Sequence, residues 1–213
     1  MRQTLLNQIA AQILTMPSPP IVRVAVDGVD GAGKTTFADE LAQILASSQR
    51  QIIRASVDRF HNPRHVRYAQ GRHSPAGFFD DSYNYVNFKA MLLDPLSSGG
   101  NRRYRTAAFD HRTDMAIDQP EQVASDNAIL IVDGIFLHRP ELRESWDFSI
   151  FLHVDFEVSI PRGAQRDHGD PDPTSSANQR YVLGQQLYLR ECQPQRHATL
   201  VIDNNDLTRP FVS

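Results

Sequence analysis

Residues Gly28-Val29-Asp30-Gly31-Ala32-Gly33-Lys34-Thr35 carry glycine, lysine and threonine in the spacing G-x-x-x-x-G-K-[ST]. Glycines at these positions let the backbone curl, so that successive N–H groups face inward and cup phosphate oxygens. A helix starting behind such a loop adds the partial positive charge of its N-terminus. Lys34 offers a compact cation to the β- and γ-phosphates, and Thr35 offers a hydroxyl to Mg²⁺. Gly28, Asp30, Gly31, Ala32, Gly33, Lys34, Thr35 and Thr36 are therefore expected to bind a nucleoside triphosphate. Of 22 basic residues only Lys34 and Lys89 are lysine, so a lysine inside this loop stands out from the background.

Two carboxylates follow strand-like runs. Ile129-Leu130-Ile131-Val132 leads into Asp133 and Gly134, an apolar strand ending on an acid that could sit beside magnesium with Thr35. Ile52–Val57 leads into Asp58. In a parallel sheet, ligands gather at the carboxyl ends of strands. Asp58 is then expected near the end of the Val22–Val26 strand, where a carboxylate could take the proton of an acceptor hydroxyl.

The elements that must hold these groups are legible as periodicity. Ile21–Val26, Phe148–Val154 and Thr199–Ile202 read as further buried strands. Apolar spacing predicts helices over 2–16, ended by Pro17, Pro19 and Pro20, and over 34–47. Further helices are expected around 85–95, 140–145, 156–166 and 178–191, with Pro161 an obstacle inside the 156–166 stretch. Apolar strands alternating with helices imply an α/β fold with a five-stranded parallel sheet covered on both faces. Residues 58–84, rich in Arg, His and aromatics, break this rhythm, as do residues 167–179, which read as a mobile loop. The 59–73 segment fits either a solvated charged surface or the wall of a small-substrate site.

Composition narrows the class. The chain has 213 residues, 40% hydrophobic and 22% charged, with net charge −3. That is globular composition and argues against a general polyanion binder such as a nucleic-acid protein. No apolar run reaches the ~20 residues of a membrane span. The N-terminal stretch lacks the apolar centre of a signal peptide and is read as part of the fold. A single cysteine, Cys192, excludes an intrachain disulfide framework and fits a reducing compartment, so a cytoplasmic location is expected.

Three segments together resemble the uridine kinase-like family, which is related to phosphoribulokinase and bacterial pantothenate kinase. They are Val24–Thr36, Ser56-Val57-Asp58-Arg59-Phe60-His61, and Val132-Asp133-Gly134-Ile135-Phe136. The resemblance covers roughly residues 20–205 and implies a P-loop kinase. Such an enzyme uses ATP and Mg²⁺ to phosphorylate a hydroxyl of a small molecule. It implies Asp58 as general base, Thr35 and Asp133 at the metal, and Arg162 and Arg166 as arginines closing over the transferring phosphoryl group. It also implies Asp81, Tyr104, Phe109 and His111 as acceptor-binding positions. The chain departs from the family pattern at Asp133, where uridine kinases usually carry Glu. Its lid has fewer arginines, and its Tyr104–His111 spacing is longer.

The expectation is one domain over 1–213, with an acceptor-site insertion at 58–118 and a lid region at 160–180. A nucleoside such as uridine or cytidine is the expected acceptor. Nicotinamide riboside, pantothenate or a sugar remain alternatives, and a hydrolysing P-loop switch is a further one. No nucleic-acid or membrane partner is expected, and a homo-oligomer is compatible with the sequence.

Overall fold

The computed structural model describes residues 1–16 and 21–213. Pro17, Pro19 and Pro20, expected to end the first helix, lie outside the described residues. Five strands run parallel: β1 (Val22–Gly28), β2 (Ile52–Ser56), β7 (Ile129–Gly134), β8 (Phe148–His153) and β9 (Leu200–Asp203). A short β10 (Phe211–Val212) adds an antiparallel edge, giving the order β10-β9-β8-β1-β7-β2. Between β2 and β7 lie two small antiparallel ladders. One joins β3 (Arg103–Tyr104) to β6 (Gln122–Val123), and the other joins β4 (Phe109–Asp110) to β5 (Met115–Ala116).

Alternation along the strands decides which face each residue covers. Val24, Val26, Ile129 and Ile131 point to the face covered by α1 (Arg2–Thr15) and α2 (Lys34–Leu45), against Leu6, Ile9, Ile13, Phe37 and Leu41. Ala25, Leu130 and Val132 point to the opposite face, against Phe60, Phe88, Leu92, Phe136 and Tyr188. Leu14, also on α1, is exposed.

The second face is built from the irregular half of the chain. It carries short helices α3 (Arg64–Arg67), α4 (Pro75–Asp81) and α5 (Tyr85–Phe88), the last continued by a π turn over Lys89–Leu93. After α6 (Pro140–Arg143) and β8 come α7 (Phe156–Asp167), α8 (Ser176–Cys192) and the short α9 (Pro194–His197). Helix α7 runs unbroken through Pro161, whose missing N–H leaves the Glu157 carbonyl without its intrahelical donor. Helix α8 starts at Ser176, so the connection from α7 is shorter than the 167–179 loop expected. Among the described residues, no helix is long and apolar enough to cross a membrane.

Candidate active site

Strand order builds the site. Strand β7 lies between β1 and β2, with Val26 and Ser56 both level with Asp133. Asp58 stands across Asp133 from the end of β1, on a 3₁₀ turn that follows β2 (Val57–Phe60). The phosphate loop leaves β1 and turns into α2 at Gly33, which caps the helix with φ +85°. Gly31, at φ +74°, packs against α7, and a Cβ there would overlap the Ser159 carbonyl. Only glycine meets both demands.

At the loop's end, Lys34 Nζ donates to the Val29 carbonyl at 2.8 Å and Thr35 Oγ1 donates to Asp133 Oδ2 at 2.7 Å. The pairing of a hydroxyl with a nearly buried carboxylate supplies the hard oxygen donors that Mg²⁺ takes, so these residues fit the ion. Beneath the loop is a buried network that the sequence reading missed. Asp27, fully buried, accepts from the Gly28 amide at 2.7 Å, from His138 Nδ1 at 2.7 Å and from the Tyr188 hydroxyl. Burial, then the Asp27 charge, holds the Tyr188 phenol well above its ordinary pKa, so it stays a donor.

One cavity of about 430 Å³ opens beside the loop. Asp30, Asp58 and Arg166 line it together with the rings of His61, Tyr68, Phe78, Tyr83, His111 and Tyr181. Asp58 Oδ1 accepts from the Tyr83 hydroxyl at 2.8 Å, and Oδ2 has no hydrogen bond among the described residues. Burial, followed by the Asp58 and Asp30 carboxylates, pushes the Tyr83 phenol well above the usual range. His61 stacks between Tyr83 and His111, each 4.5 Å away centroid to centroid. Its Nδ1 lies 2.8 Å from the Asp58 carbonyl, which can only accept, so Nδ1 carries the proton. Burial lowers the His61 pKa to about 4, partly opposed by that carbonyl and the Asp58 charge, so the ring is neutral at pH 7.

The structure thus brings together Asp30, Asp58, His111 and Arg166 of the expected residues, with Lys34 and Thr35 at the start of α2 and Asp133 near the end of β7. Others it places elsewhere. Tyr104 is a core residue whose hydroxyl donates to Gln122 at 3.1 Å across the β3–β6 ladder. Phe109, on β4, is buried away from the cavity wall. The Asp81 carboxylate accepts from Gln70 at 2.9 Å, and its neighbours Ser82 and Tyr83 line the cavity instead. Arg162 is turned away, with its guanidinium donating to the carbonyls of Asn204 and Asn205. Of the 59–73 segment, His61, Arg67 and Tyr68 lie on the cavity wall. Arg180 was missed: it is buried, spans from α8 to the carbonyls of Arg67, Gly71 and Arg72, and stacks on Tyr68. An arginine inside a helix otherwise spaced for packing was the available signal.

A phosphate loop between the first strand and its helix, with an acid on the adjacent parallel strand, places the molecule among the P-loop kinase folds. Residues 23–188 match the model of the Phosphoribulokinase / Uridine kinase family, and the chain belongs to that family. It is 28% identical over 149 residues to phosphoribulokinase of Synechocystis sp., covering 69% of this chain and 42% of that protein. It is 22% identical over 148 residues to uridine-cytidine kinase A of Dictyostelium discoideum, covering 70% of this chain and 28% of that one. The chain therefore spans less than half the length of either relative. The solved structure of a possible uridine kinase from Bacillus stearothermophilus superposes with TM-score 0.72 at 21% identity, covering 93% of this chain and 97% of that one.

Proposed function

We propose that this chain is an ATP-dependent kinase that transfers the γ-phosphoryl group to a hydroxyl of a small molecule, a nucleoside in the first instance. The observation that carries this reading is the single cavity onto which both the phosphate loop, through Asp30, and the Asp58 carboxylate open. Six rings on the same wall offer faces to a planar base, and such stacking favours a nucleoside over an aliphatic alcohol.

The loop amides and Lys34 hold the triphosphate. Thr35 and Asp133 would hold Mg²⁺, which supplies charge neutralisation on the β- and γ-phosphates when bound. Tyr83 fixes Asp58 by one oxygen and leaves Oδ2 to accept the proton of the acceptor hydroxyl. The acceptor oxygen then bonds to the γ-phosphorus as the bond to the β,γ-bridging oxygen breaks, and ADP leaves. Arg166, on the cavity wall, is placed to offset charge on the transferring group. Arg162 contributes through the 204–205 segment it holds. Residues 168–175 close the wall and limit competing hydrolysis by water.

The test is product formation from ATP across nucleosides, vitamins and sugars, with product mass measured. Asp58→Asn keeps the carboxylate's shape and an oxygen for the Tyr83 contact. It should lower kcat by roughly 10²–10⁴-fold, with nucleotide affinity nearly unchanged. Near wild-type turnover in Asp58→Asn would remove the base from the mechanism. Phosphate release independent of any acceptor would favour the hydrolysing alternative.

A further inference from the structure

The residue in the middle of the phosphate loop gives its main-chain donor to the protein and not to a nucleotide. The Asp30 N–H donates to Oε1 of Gln185, a side chain only 1% exposed, whose Nε2 donates to the Tyr181 carbonyl at 3.0 Å. A buried glutamine with two main-chain partners ties position 30 to α8. The Gly28 and Ala32 N–H groups are also committed, to the Asp27 carboxylate and to the Val29 carbonyl. Position 30 therefore adds no main-chain donor to the phosphate cup.

Its side chain belongs to the other half of the cavity. Val29 before it is buried in the core on the α1–α2 side, and Gly31 after it packs against α7. Asp30 is the residue of this turn that opens, half-buried, onto the wall shared with Asp58, Tyr83 and Tyr181. Burial raises the Tyr83 and Tyr181 phenols, and the Asp30 charge adds to the rise at both. Three carboxylates line this wall. Asp170 accepts the Asp172 N–H at 3.0 Å within its own turn, and Asp58 faces the hydroxyl that is phosphorylated. An ionised carboxylate only accepts hydrogen bonds. Against a triphosphate the third one, Asp30, would repel; against an acceptor molecule it offers a place for a hydroxyl proton.

We infer that Asp30 is a specificity-determining residue whose carboxylate accepts a hydrogen bond from a second hydroxyl of the acceptor, one that is not phosphorylated. The substrate class is then a polyol, such as a ribose with free 2′- and 3′-hydroxyls, and not a monohydric alcohol. Gln185 is a positioning residue that holds the Asp30 main chain on α8. The phosphate loop thereby meets both partners of the reaction, the triphosphate through its other amides and Lys34, the acceptor through Asp30. This inference rests on the kinase reading of the same cavity and narrows it.

The test compares kcat/KM for uridine with kcat/KM for 2′-deoxyuridine and 3′-deoxyuridine. Should the acceptor screen return another polyol, that molecule and its monodeoxy forms take their place. In wild type, removing the hydroxyl that meets Asp30 should lower kcat/KM about 10–100-fold, the range for a hydrogen bond to a charged group. In Asp30→Ala this preference for the full polyol should shrink toward unity, whatever the variant does to absolute rate. Asp30→Asn keeps an accepting oxygen and should show an intermediate preference. KM for ATP should not rise in either variant, since a negative charge leaves the loop.

Three results overturn the inference while leaving the kinase reading intact. They are a wild type that turns over both monodeoxy forms as well as the full polyol, an acceptor that carries a single hydroxyl, and a preference that survives Asp30→Ala. A rise in KM for ATP with the preference unaltered would assign the carboxylate to the nucleotide and also overturns it. Should Asp30→Ala fail to fold, the isosteric Asp30→Asn decides, and a preference equal to wild type refutes the contact. Absence of turnover with every acceptor is a different outcome: it fails the proposed function, and this inference falls with it.

Discussion

Replacing His61 with Phe should make the protein's stability less sensitive to acid. The wild-type ring is held neutral by burial beside Tyr83 and His111, with a pKa of about 4 against 6.5 for an unburied histidine. Arg67 also opposes protonation, whereas Asp58 and its carbonyl favour it. At pH 7 the ring is neutral in both folded and unfolded chains, so it costs nothing. As pH falls below 6.5 the unfolded chain takes up a proton that the folded chain refuses, and stability drops until pH reaches about 4. At 1.36 kcal/mol per pH unit, the interval from 6.5 to about 4 is worth up to about 3 kcal/mol. Phe keeps the stacked ring, loses the Nδ1 bond and cannot titrate. Urea denaturation at a series of pH values between 7 and 4 should therefore show two curves that converge as pH falls, wild type losing about 3 kcal/mol more than His61→Phe. Parallel curves would mean that the folded ring accepts its proton normally, and the half-buried, neutral, Nδ1-protonated His61 would be wrong.

Two further outcomes follow from the loop and the network beneath it. Gly31→Ala sets a methyl against the Ser159 carbonyl at a backbone angle of +74°, which costs about 1–3 kcal/mol in strain alone; ATP affinity measured by calorimetry should collapse while α7 and the loop part. Tyr188→Phe removes one donor from the buried Asp27 carboxylate, so the denaturation midpoint should fall by the equivalent of about 1.5–3 kcal/mol. An unchanged midpoint would mean that the Gly28 amide and His138 satisfy Asp27 by themselves.

What the sequence made legible was whatever has a period or a fixed spacing. The five parallel strands announce themselves as short apolar runs between helical stretches, and the helix over 34–45 because apolar residues recur near 3.6. The loop announces itself because phosphate binding constrains glycine and lysine at fixed offsets. The strand order was not legible: nothing local in Ile129–Val132 says that it inserts between β1 and β2. The acceptor wall was harder still. Between residues 58 and 118 the chain folds as short helices and two-residue ladders whose partners are far apart in sequence, and nothing periodic separates Tyr104, locked on Gln122, from His111, stacked on His61.

The two halves of the cavity are not independent, because one helix serves both. From α8, Gln185 accepts the main-chain N–H of Asp30 in the phosphate loop, and Tyr188 reaches the Asp27 carboxylate beneath it. One to two turns earlier on the same helix, Arg180 ties down the carbonyls of 67–72 and Tyr181 packs edge-on against Phe78, both on the acceptor side. Gly184 lets α4 approach so closely that a Cβ would lie 2.8 Å from both the Phe78 ring and the Pro75 carbonyl. A helix is stiff over such a length, so the contacts with the phosphate loop and those with the ring-lined wall are held in fixed relation by one element.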